Sequence, residues 1–175
     1  MTRKIHVVIG ILMTTCIMGG GGREGARAND LLITHRLPAA LALEAVSEAV
    51  NDCARKGYAV TAVVVDSDGV RQASLRGDRA GVHTADSAYG KAYTAVSLAP
   101  ISHLDSSAEA AKTFLANPAA ASLQHVPNIL LLGGGLTILA GDEVIGAIGV
   151  GGAPGGMLDE ACARTALDKI RPRIN

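Results

Sequence analysis

The stretch "GVHTADSAYGKAYTA", residues 81–95, gathers one His, two Thr, two Tyr, one Lys and one Asp in a chain dominated by Ala, Val, Leu and Gly. The whole sequence has no Trp, one Phe and three Tyr, so half of its aromatic side chains lie here. His83 follows a glycine-containing loop at the predicted start of a helix, where an imidazole stays accessible and can bind a metal. Thr84 beside it, at the same exposed mouth, suits a helix cap or a hydrogen bond to a bound group. Tyr89 and Tyr93 are four apart and share a helix face. That spacing serves a ligand site or plain packing equally well. Asp86 is placed to orient the His83 ring, and Lys91, Arg76 and Arg79 offer cations, unless Lys91 is only a solvated surface residue. No nucleophile accompanies His83 and Asp86, and no G-x-S-x-G elbow occurs, so the residues alone leave catalysis undecided. His103, two before Asp105, forms at most a weak metal pair. His35 and His125 read as loop residues, and no His pair at i, i+4 or Cys cluster indicates structural zinc.

These groups need elements to hold them. Pro38 to Lys56 reads as a helix, with Pro in its first turn and Gly57 as its C-terminal cap. Tyr58–Val65 and Val70–Arg76, joined by "DSDG", read as a β-hairpin. A helix from Thr84 to about Leu98 is ended by Pro100. Ser106 and Glu109 make a capping box for the next helix, which stops at Asn117–Pro118. Ala119–Asn128 reads as loop. Ile129–Leu132, Leu136–Ala140 and Glu143–Val150 read as strands, and Leu158–Ile170 as the last helix. The order α-ββ-αα-βββ-α predicts an α/β (α+β) fold, with helices packed on a five-stranded antiparallel sheet. On this reading the first and last helices share one face of the sheet.

The glycines of "GGGLTILAGDEVIGAIGVGGAPGG" resemble a phosphate cradle, but no Lys-Ser/Thr follows and the strand–turn–helix context of a dinucleotide fingerprint is missing. Gly146 and Gly149 thin a strand so that another backbone or a ligand can approach. The loop Gly151–Gly156 precedes a helix N-terminus that is able to contact an anion.

Arg3 and Lys4, the apolar run Ile5–Met18 and the small residues Ala26-Arg27-Ala28 form a secretory signal pattern. Residues 1–28 are read as a signal peptide cleaved after Ala28, leaving 29–175 as a single secreted or periplasmic domain. Cys16 leaves a lipoprotein form open, although Met13-Thr14-Thr15 is a poor lipobox. The leader removes four basic residues and one acidic from a balanced 16 and 16, so the mature chain carries a net charge of −3. With no basic block, nucleic acid is excluded as a partner. Cys53 and Cys162 remain, either as a disulfide suited to an oxidising compartment or as two buried thiols.

"GDRAGVHTADSAYGKAYTA", followed by "GGGLTILAGDEVIGAIGVGGAPGGMLDEACARTAL", resembles the GlcG/HbpS family of haem-degrading domains, and "VVVDSDG" resembles its first strand pair. The resemblance spans about Leu37 to Ile170. It implies a profilin-like sandwich and homo-oligomers of six or eight chains. For some secreted members it implies haem binding, haem degradation without a catalytic triad, or redox signalling to a membrane sensor. Other members, associated with glycolate metabolism, imply a different small-molecule ligand or substrate. With haem as the cofactor, His83 is the candidate iron ligand, Tyr89 or Tyr93 a phenolate alternative, Thr84 a hydrogen-bonding neighbour, and Lys91, Arg79 and Arg76 the propionate partners.

Overall fold

A computed structural model describes residues 31–174, of which those from Thr34 onward belong to one compact unit. The expected leader and its cleavage site lie outside the described residues. The first helix, α1 (Ala39–Arg55), has Pro38 as its N-cap and buries Ala42, Ala45, Val46, Ala49 and Cys53 along one stripe. Gly57, at φ +83°, turns the chain out of it into β1 (Thr61–Asp66). The hairpin partner is β2 (Arg71–Arg76). The helix α2 (Thr84–Leu98) follows, then α3 (Ser107–Leu115), capped by Ser106 Oγ accepting from the Glu109 N–H. The chain closes with β3 (Gly135–Ala140), β4 (Glu143–Gly151) and α4 (Gly156–Ile170).

The sheet is antiparallel with strand order β2-β1-β4-β3. β1 is central, and its side chains alternate between faces as pleating requires. Ala62 and Val64 join a core with α1, α4, Ile138, Ile148 and Val150. Val63 and Val65 join Ala88, Ala92 and Ala95 of α2 on the other face. The first and last helices therefore do share a face, with Cys53 and Cys162 between them. Their sulfurs stand 2.11 Å apart and their Cα atoms 5.6 Å apart, across 109 residues of sequence.

The five-stranded profilin-like sandwich expected from the sequence is corrected to a four-stranded sheet, because Ile129–Leu132 is not a strand. The Leu130 N–H donates to Thr94 Oγ1 at 2.8 Å, and the Leu132 carbonyl accepts from Ser107 Oγ at 2.8 Å. Helix side chains thus take backbone groups that a neighbouring strand would need. The place beside β3 is partly taken instead by Asp105 and Ser106. Ser106 bridges Leu136, and the Asp105 carbonyl accepts from the Thr137 N–H at 3.0 Å.

The small residues set how closely α2 lies on the sheet. A Cβ at Gly149 would collide with the Ala88 carbonyl, and would stand 2.6 Å from the Ala92 nitrogen. The helix and strand backbones touch there, which is the close approach read from the sequence.

Candidate functional site

The first turn of α2 separates His83 from Thr84. His83 is exposed, makes no side-chain cap, and folds its ring back over Gly81; a Cβ added there would lie 2.8 Å from His83 Cε1. Thr84 is 1% exposed, which corrects its expected place at an exposed mouth. Its hydroxyl donates to the Gly81 carbonyl at 2.6 Å and accepts from Thr61 at 2.7 Å. Thr84 therefore ties the 77–83 loop to the central strand. Arg76 ties the same loop, donating through Nε to the Ala80 carbonyl at 2.8 Å. Arg79, at φ +63°, is exposed.

Tyr89 and Tyr93 both receive the hairpin turn. The Tyr89 hydroxyl donates to the Gly69 carbonyl at 3.2 Å. Gly69, at φ +77°, lies against the Tyr93 ring, which a Cβ there would meet at 2.8 Å. The rings are tilted, with centroids 5.8 Å apart. The Arg71 guanidinium stands 3.7 Å over the Tyr89 ring, a cation–π contact, and its Nη2 is 3.8 Å from Asp86 Oδ1.

Arg71, Asp86, Ser87 and Tyr89 form one side of a surface groove of about 390 Å³, and Ile129 and Leu130 form the other. His83, the N-cap residue of the same helix, is three residues before Asp86; its ring lies over Gly81 and is not part of the groove's lining. The sequence reading missed Arg71 and the 128–130 wall. The available signal was Gly90 in mid-helix: a Cβ there would stand 2.9 Å from Leu130 Cβ, so only glycine lets that wall close in.

Lys91 is neither solvated nor open to a propionate, which corrects its expected role. Its side chain is 3% exposed, and Nζ donates to Asp159 Oδ2 at 2.6 Å and to the Val150 carbonyl at 3.0 Å. Asp159 Oδ1 accepts from the Ala153 N–H at 2.9 Å. The anion expected at the start of α4 is thus supplied by the helix itself. None of the described histidines lines the groove. His35 contacts Glu143 at 2.6 Å; its hydrogen bonds hold the Glu143 carboxyl below the ordinary value of 4.5. His103, at φ +54° on a turn, and His125, at the end of the short 3-10 helix Ala121–His125, are exposed. Among the described residues no group of three or more His, Cys, Asp or Glu is placed to hold a metal ion, and no helix is long and apolar enough to cross a membrane.

The family model described as haem degrading protein HbpS-like matches residues 37–168. Among solved structures, a double mutant of Streptomyces reticuli HbpS is 37% identical, with a TM-score of 0.74 over 83% of this chain and 94% of its own. Klebsiella pneumoniae protein ORFY is 27% identical, with a TM-score of 0.72 over 82% and 96%. A PduOC–haem complex, 21% identical with a TM-score of 0.65 over 77% and 94%, shares the fold. No curated protein matches the sequence.

Proposed function

The chain belongs to the HbpS-like family, and from that premise we propose that it binds haem in the groove along α2, with His83 as the iron ligand. The observation that carries this reading is the exposed imidazole one turn from a groove with an apolar wall and a guanidinium. Those donors fit haem in kind: an imidazole for the iron, Arg71 for a propionate, and Ile129, Leu130 and Tyr89 for the macrocycle. Arg79, exposed in the loop before His83, is the second propionate partner. Tyr89 is the weaker ligand, since its hydroxyl is already given to Gly69. Thr84, Lys91 and Tyr93 act behind this surface, holding its loop, helix and hairpin.

Haem, when bound, supplies the redox and oxygen chemistry of its iron. The protein's part is to bind and orient it. The groove is open and at the small end of ligand sites, about 300–1,000 Å³. A second copy of the chain completes it in this reading. Val82, 80% exposed beside His83, and Val70 at the hairpin tip provide apolar surface for such an assembly. Secretion, with cleavage after Ala28, is the matching location and rests on the leader pattern. Thiol exchange with a membrane sensor is less well supported, because both cysteines are fully buried. Titrating the purified mature protein with hemin, followed in the Soret region, tests the proposal.

A further inference from the structure

A second cavity, of about 350 Å³, lies at the edge strand β3, beside Asp105, against the C-terminal half of α4. Its helical wall is a stripe: Arg164 and Leu167 of α4, then Arg171 and Ile174 in the turn that follows it. Residues at this spacing share one helix face, so two guanidiniums flank an apolar floor. The facing wall is Leu136, Ile138 and Leu139 of β3. The α2 groove is lined by none of these residues.

Each guanidinium spends one N–H group on a nearby carboxylate of α4. Arg164 donates to Glu160 at 3.1 Å and Arg171 pairs with Asp168 at 3.2 Å, and both arginines are more than half exposed. A guanidinium has five N–H donors, so each keeps a fork able to take a carboxylate. Asp105 stands on the β3 side and repels an anion there. A ligand's carboxylate is therefore directed to the arginine side and its apolar body to Leu139 and Ile174, which keep exposed apolar surface over the buried Leu136, Ile138 and Leu167. We propose that this cavity is a binding site for an amphipathic carboxylate, an aliphatic chain ending in one carboxyl group. The proposal stands independently of the haem reading.

Octanoate is the probe, added to the ¹⁵N-labelled mature protein and followed by amide chemical shifts, with octan-1-ol and acetate as comparisons. The expected result is saturable shifts confined to residues 105, 136–141 and 164–174, with octan-1-ol and acetate each at least tenfold weaker. Arg171→Gln weakens octanoate by about tenfold, as loss of a charge-assisted contact predicts. The Arg171 partner is exposed, so this variant keeps its fold. Arg164→Gln acts in the same direction, its folding checked by thermal melting. Shifts that do not saturate, that fall elsewhere, or that persist unchanged in Arg171→Gln overturn the proposal.

Discussion

Lys91 and Asp159, 68 residues apart, meet in a nearly dry ion pair 2.6 Å long, with side chains only 3% and 2% exposed. The pair joins the middle of α2 to the first turn of α4, and through Val150 and Ala153 to the end of β4 and the loop after it. Removing one partner leaves a charge buried without compensation, which costs about 3–5 kcal/mol. Lys91→Met and Asp159→Asn should each lower the stability read from urea unfolding by that order. The double variant Lys91→Met/Asp159→Leu should be more stable than the sum of the two losses predicts.

Cys53 and Cys162 stand at bonding distance between α1 and α4. If they are bridged in the mature protein, closing so long a loop stabilises by about 2–5 kcal/mol. Intact mass without reductant should then be two hydrogens below the reduced value. Cys53→Ser should unfold at lower urea concentration. Because both sulfurs are buried, a mild reductant should leave the native bridge untouched and cleave it only on unfolding. Two free thiols titrated in the unreduced, unfolded protein would contradict the bridge.

The acid limb of stability should also be set at the α1–α4 contact. Hydrogen bonds from Lys169 and Arg55 hold the Glu48 carboxyl below its ordinary 4.5. Burial pushes Asp52 upward, but hydrogen bonds from Lys56 and Arg55 outweigh it and hold Asp52 below 3.8. A lowered folded-state value means that the ionised form is the one stabilised. The contribution is full above about pH 4.5 and is lost as pH falls through the lowered values. Urea midpoints should fall between pH 5 and pH 3, and Glu48→Gln should flatten that fall.

Much of the fold was legible because local signals agreed. Pro38 and Gly57 bracket α1, Ser106 and Glu109 start α3, and Thr84–Leu98 is the helix read from the sequence. Ile129–Leu132 was misread because a short apolar run looks the same whether it pairs as a strand or packs as a loop. Only the distant Thr94 and Ser107 hydroxyls decide between the two. The exposure of His83 was legible, because it follows from its loop. It was not legible at Thr84 or Lys91, whose roles depend on partners far along the chain, Thr61 and Asp159. Residue type announces a functional group, but burial decides what it meets.

The glycines offer a sharp contrast. Gly149→Ala and Gly135→Ala place a Cβ against the Ala88 and Lys91 carbonyls, so both should fold poorly or melt far lower. Gly155→Ala meets nothing within 4 Å and has no positive φ to strain, so its melting temperature should stay close to that of the parent. Circular dichroism melts of the three variants check this.

The central claim is that haem binds at the start of α2 through His83. The most direct measurement is a hemin titration of the mature protein, read in the Soret region and repeated on His83→Ala and on Tyr93→Phe. A saturable band should form with the parent and with Tyr93→Phe, and be lost or clearly shifted with His83→Ala while that variant melts like the parent. The absence of any saturable spectrum with the parent would contradict haem binding, and an unchanged spectrum in His83→Ala would contradict the assigned ligand.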